Sequence, residues 1–159
     1  MDDVWALIGD PAKTEAGLRI LRARVAARPS DPKAVLDLAS AYDMLDREDD
    51  AELAYERVRK LGLGGLAPGD RSRWYIQFGS TLLLRGKIDE SRKVLVEGEA
   101  AFPEDMVIAA FRAFTEMAAG SPKKATRVLL DAVLRSSNPQ VDFYRRALTD
   151  YAGKMAGEP

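Results

Sequence analysis

The sequence predicts an all-α chain, an α-solenoid of antiparallel helix hairpins closed by a C-terminal capping helix. Three observations predict it. Apolar residues recur at steps of three and four, and no segment alternates with period two for long, so no sheet is expected. Helix-start signals of one kind, a capping side chain followed by proline, occur at Asp10-Pro11, Asp31-Pro32, Ser121-Pro122 and Asn138-Pro139. Side-chain size repeats at a fixed period: a shift of 34 lays Gly79 on Ala113, Gly86 on Gly120, Ser91 on Ala125 and Leu95 on Leu129, and a shift of 40 lays Ala39 on Gly79, Tyr42 on Leu82 and Tyr55 on Leu95.

The expected elements run in order as follows. A short helix over 2–8 and a long one over 11–27 form a divergent first hairpin (1–29), because a shift of 34 lays Val4 on Leu38 and Gly17 on Ala51 while Trp5 replaces the small residue. Hairpins follow over 32–61, 70–101 and 105–136. In each, small residues of the first helix (Ala39, Gly79, Ala113) meet small residues of the second (Ala51, Ser91, Ala125), and large ones (Tyr42, Leu82; Tyr55, Leu95, Leu129) fill the space beside them. The six residues added between the first two of these hairpins fall in the loop Gly62 to Gly69, and Asp70 is expected to cap the next helix. A last helix over 139–156 buries Val141, Tyr144, Leu148, Tyr151 and Met155, steps of 3, 4, 3 and 4, and turns Asp142, Arg145, Arg146, Asp150 and Lys154 to water. One hairpin has too little apolar surface to stand alone, so the units stack into a single domain, 1–159.

Composition narrows the function. The chain has 24 basic and 25 acidic residues, so nucleic acid and anionic membrane are not expected partners. It has no histidine and no cysteine, which removes imidazole bases, thiolate nucleophiles and Cys or His metal ligands. No apolar run approaches the ~20 residues of a membrane span. The amino terminus is acidic and does not read as a signal peptide, so a cytoplasmic location is expected. No catalytic, cofactor or metal residue is expected.

Four local patterns have bland explanations. Ser121-Pro122-Lys123-Lys124 fits the S-x-x-K spacing of acyl enzymes but sits at a helix start without companion motifs. Gly62 to Gly69 lacks the G-K-[ST] of a phosphate loop. Asp46 to Asp50 lacks the glycine and distal glutamate of a calcium loop and reads as a polar turn. Arg71, Arg73, Trp74 and Tyr75 interleave base and aromatic, yet the two aromatics occupy packing columns.

The unit Trp74-Tyr75, Phe78-Gly79, Leu82, Gly86, Ser91, Leu95, Gly98 and Pro103 resembles a tetratricopeptide repeat, with departures at Leu82, Ser91 and Gly98. Ala39 to Asp43, Ile76 to Leu82, Phe102 to Asp105 and Tyr144 to Leu148 further resemble the small bacterial tetratricopeptide repeat group 5 family. The resemblance implies a right-handed superhelix whose first helices line a concave, protein-binding face. By repeat register that face holds Lys33, Leu36, Ser40, Asp43 and Met44; Arg73, Ile76, Ser80, Leu83 and Leu84; and Val107, Ala110, Phe114, Met117 and Ala118. Of these, Leu36, Ser40, Asp43, Arg73, Ile76, Ser80, Leu83, Ala110, Phe114 and Met117 are the expected partner-binding residues. Family members that clamp a terminal carboxylate use Lys, Asn and Arg there; the only Asn of this chain is Asn138, outside the face. An apolar surface edged by Lys33, Asp43 and Arg73 suits a peptide or amphipathic helix, with a second copy of the chain, through this face or an end helix, as the alternative.

Overall fold

A polypeptide that repeats side-chain size must repeat backbone geometry at its turns, and it does. The computed structural model describes residues 4–156. Its elements are α1 (Val4–Gly9), α2 (Thr14–Ala27), α3 (Pro32–Asp43), α4 (Glu48–Leu61), a 3-10 turn (Leu63–Gly65), α5 (Pro68–Leu84), α6 (Ile88–Ala101), α7 (Met106–Ala118), α8 (Pro122–Arg135) and α9 (Pro139–Ala156). The fold is all-α, and the described residues contain no strand.

Three hairpin turns share one backbone solution. The amide of Arg47 reaches Tyr42 O, that of Lys87 reaches Leu82 O, and that of Ser121 reaches Glu116 O, each at 2.9 Å. The residue before each donor has positive φ: Asp46 at 54°, Gly86 at 72° and Gly120 at 73°. This is the Schellman closure, in which a left-handed residue lets the chain satisfy carbonyls at the helix end. Two junctions between hairpins repeat as well. Arg28 and Phe102 have nearly identical backbone angles, and Asp31 and Asp105 each cap the next helix by accepting from two amides.

Some expected boundaries move. Asp10 accepts from the amide of Ala12, but the chain makes a turn there and α2 begins only at Thr14. Ser121 precedes α8 without a side-chain cap bond. Asp70 is not a cap: α5 starts at Pro68, and Asp70 lies in its first turn beside Arg73. The glycine-rich stretch is not wholly a loop, because its middle is the 3-10 turn, Leu66 is buried, and Gly69 already belongs to α5.

The chain packs as two units, the first through Thr81 and the second from Leu82. In the first, α1 lies against α2, α2 against α3 and α3 against α4. Ala39 and Ala51 are fully buried, and Tyr55, Trp74 and Phe78 build an aromatic core with centroids 5.2 to 5.7 Å apart. Trp5 does not enter that core. It is exposed, while Val4 and Ile8 are buried and Ile8 sits directly over Gly17. In the second unit Ala109 and Ala113 of α7 and Ala125, Val128 and Ala132 of α8 form one buried cluster. Small residues on both helices let the backbones approach, which is the reason for their recurrence.

Two departures concern the carboxy-terminal end. Leu129 is 42% exposed, and Val128 takes the buried position. On α9 the inner face is Val141, Arg145, Leu148 and Ala152: Val141 and Leu148 of the expected stripe point inward, whereas Tyr144 and Tyr151 point outward and Arg145, expected in water, turns in. Arg145 explains the rotation, since its guanidinium donates to Leu134 O at the end of α8 and holds that side of α9 inward. Asp2 and Asp3, expected in the first helix, and the side chain of Met155, expected in the α9 stripe, lie outside the described residues.

Candidate functional site

In the first unit the polar side chains that register predicts for a binding face are used to join α3 to α5. Asp37 accepts from Lys33 Nζ at 2.7 Å and from Arg73 at 3.0 Å. Ser40 Oγ is the donor within reach of two acceptors, Gln77 Oε1 at 2.8 Å and Leu36 O at 3.0 Å. Thr81 donates to Asp43 Oδ1 at 2.9 Å, and Tyr55 donates to Asp43 Oδ2 at 3.2 Å. Residues 37, 40 and 43 step by three along α3, and 73, 77 and 81 step by four along α5. They form three rungs between the first helices of successive hairpins.

The rungs change the reading of several expected contact residues. Leu36 and Ser40 are buried and present nothing to a partner. Asp43 is half-buried: desolvation raises its pKa, and the bonds from Thr81 and Tyr55 offset only part of that. The Tyr55 hydroxyl is pushed up, first by burial and then by the charge of Asp43. Arg73 is held by Asp37 and Asp70. Ile76 and Ser80 are half-buried, and Ser80 Oγ turns back to Gln77 O at 2.9 Å. Sequence reasoning missed Asp37, Gln77 and Thr81. The signal available was their three- and four-residue spacing from Ser40, Asp43 and Arg73.

The second unit differs. Leu83 and Ala110 are half-buried, but Phe114 is 58% and Met117 55% exposed, with Val107 also exposed on α7. Positions 107, 110, 114 and 117 form one apolar stripe, opposite the face that carries Ala109 and Ala113 into the core. Phe111 stands edge-on to Phe114 at 5.9 Å and steadies the ring.

Charged groups here are structural. Glu116, fully buried on α7, accepts from Arg92 Nε at 3.0 Å and contacts Lys124 Nζ at 3.0 Å. Lys124 of the S-x-x-K pattern is thus committed to Glu116. Beside it, Ser91 and Thr115 share a hydroxyl contact of 3.0 Å. A pocket of about 400 Å³ opens among α6, α7 and α8, lined by Val96, Ala100 and Pro103 with Arg112, Arg127 and Arg135; these three arginines are paired to Glu99 and Asp131. Trp74 is fully buried and donates from Nε1 to Tyr55 O at 3.0 Å, so the basic–aromatic run of α5 belongs to the core. Among the described residues no group of three or more acidic side chains is placed to hold a metal, and no helix is long and apolar enough to cross a membrane.

Repeated hairpins with closely packed small residues and repeated Schellman turns define a helical-repeat protein of the tetratricopeptide class. The comparison with known families agrees: the family model described as tetratrico peptide repeat matches residues 32–155. The chain belongs to that family, whose members are protein–protein interaction modules and generally non-catalytic. No curated protein matches the chain.

Proposed function

We propose that the protein is a non-catalytic cytoplasmic scaffold that binds a protein segment, best an amphipathic helix, along the apolar stripe of α7. The observation that carries this is the exposure of Phe114 and Met117 on a helix whose other face is core. Ala110 provides a shallow point between Val107 and Phe114 where a ridge of a docking helix can enter. Met117 adapts to varied side chains. On α5, Ile76 and Ser80 hold the columns that Ala110 and Phe114 hold on α7.

Covering roughly 300 Å² of apolar surface would contribute on the order of 7 kcal/mol before association costs, which supports weak, reversible binding. Capture of a partner by the intact protein, followed by Phe114→Glu and Met117→Glu, tests the reading. Loss of binding with an unchanged melting curve supports it. Retention of the partner by both well-folded variants would remove α7 as the binding surface.

A further inference from the structure

We propose that the pocket among α6, α7 and α8 is a second docking site, for an acidic segment of a partner protein whose two carboxylates lie about 12–13 Å apart. The chain as a whole has a formal charge of −1. The pocket is lined by four cations, Arg112, Lys124, Arg127 and Arg135, and by two carboxylates, Glu99 and Asp131. Its lining therefore holds two positive charges in excess. Counting Glu116, the partner of Lys124, brings in Arg92 on its other side and leaves that surplus as it was. The further contact of Arg92, to Asp89, is at the surface, where water and salt screen it.

The surplus divides between the two ends of the pocket. At one end Glu99 splits its oxygens between two guanidiniums, Oε2 to Arg112 and Oε1 to Arg135 at 3.2 Å, so neither fork receives a bidentate partner from it. At the other end Lys124 and Arg127 lie one turn apart on α8, and Asp131 accepts from Arg127 through Nε at 2.9 Å. Each end keeps one positive charge over. Arg127 and Arg135 are eight residues apart, about 12 Å along the helix axis. A single phosphate or a short dicarboxylate does not bridge that distance. Two acidic residues four apart on an extended peptide do, at about 13 Å, and the residue midway between them faces the same way. Between the ends Val96, Ala100 and Pro103 make an exposed apolar wall, with Val128 on α8, and that wall suits an apolar side chain at the middle position.

The site is separate from the α7 stripe. At about 100° per residue, Arg112 stands roughly 200° round the helix from both Ala110 and Phe114. The arginines are partly exposed, so their pairs with a ligand are screened and the binding is weak and salt-sensitive.

Heteronuclear NMR titration of the full chain tests it. The probes are a capped peptide with two glutamates four residues apart and valine midway, its glutamine counterpart, inorganic phosphate and succinate. The glutamate peptide should shift the amides of 96–103, 112 and 124–135, and its glutamine counterpart should bind about fivefold more weakly. Raising salt from roughly 50 to 200 mM should weaken the glutamate peptide about threefold. Arg127→Gln removes a contact made within α8 alone, so it should weaken the peptide about threefold and leave the circular dichroism melt unchanged. Phe114→Glu should leave peptide binding unchanged, which tells failure here from failure of the α7 surface. An absence of shifts up to about 5 mM peptide overturns the proposal. Equal binding of the glutamine peptide, or binding indifferent to Arg127→Gln, does so too. Phosphate or succinate binding as tightly as the peptide would make the pocket a small-anion site and overturn the acidic segment.

Discussion

Arg92 Nε donates to Oε1 of Glu116 at 3.0 Å across the α6–α7 packing, and the carboxylate it meets has no exposed surface. Lys124 closes the other side from α8. One buried charge therefore ties three successive helices together. Removing it leaves two cations facing a site shaped for an anion. Both are partly exposed and regain water, so Glu116→Gln should cost about 2 kcal/mol, below the roughly 3–5 kcal/mol of a broken fully buried pair. Urea denaturation checks this through the midpoint.

The same residue sets an acid limb. Burial acts to raise the Glu116 pKa, and the bonds from Arg92 and Lys124 more than offset it, so the group titrates below its ordinary 4.5. A depressed carboxyl contributes stability that is complete above the unfolded value and is lost as pH falls through the folded one. Denaturation midpoints taken between roughly pH 3 and pH 7 should fall on the acid side below about 4.5 in the parent. In Glu116→Gln that fall should be shallower.

Asp43 works in the opposite sense. Desolvation raises its pKa, so the ionised form weakens the fold and the associated stability declines as pH rises through the folded value. Asp43→Asn keeps an acceptor for Thr81 and removes the charge; at neutral pH it should fall within about 0.5 kcal/mol of the parent or slightly above it. Asp43→Ala leaves the hydroxyls of Tyr55 and Thr81 without this acceptor and should cost about 1–2 kcal/mol. Thermal and urea melts of the two variants side by side distinguish charge from hydrogen bonding.

Gly17 is required by close approach. A Cβ there would stand 2.8 Å from Ile8 Cδ1 and 3.2 Å from the Ile8 backbone nitrogen. Gly17→Ala should cost about 1 kcal/mol and loosen α1, seen as faster amide exchange in 4–9. Ile8→Val removes the nearest atom, so the double variant should be less destabilised than the two single changes added together.

Asp46 holds the left-handed position that glycine holds in the turns at 86 and 120. Asp46→Gly should stabilise by about 0.5 kcal/mol, and Gly86→Ala should destabilise by about 1 kcal/mol, each read from the melting midpoint.

Much of the fold was legible in the chain because its periodicity reports local contacts. Ala39, Ala51, Ala113 and Ala125 are small because paired helices meet there, and Gly86 and Gly120 recur because a Schellman turn needs positive φ. Burial of Trp74 followed from its column. The candidate surface was legible only in part. Phe114 and Met117 were found by register alone, whereas Leu36 and Ser40 share that register and are buried. Whether a column faces solvent or another hairpin depends on how far successive hairpins rotate, which a one-dimensional pattern does not encode.

What the sequence determined by itself is the helix inventory, the repeat and its class, since the helices rest on residues within one or two turns of each other and the repeat on the recurrence of those local patterns. Tertiary structure alone decided the rungs joining α3 to α5, the commitment of Lys124 to Glu116 and the outward rotation of the α9 aromatics. Those depend on which side chain on a distant helix reaches a hydrogen-bonding group first. The bond from Arg145 to Leu134 O keeps Val141 and Leu148 of the expected stripe inward and leaves Tyr144 and Tyr151 outside.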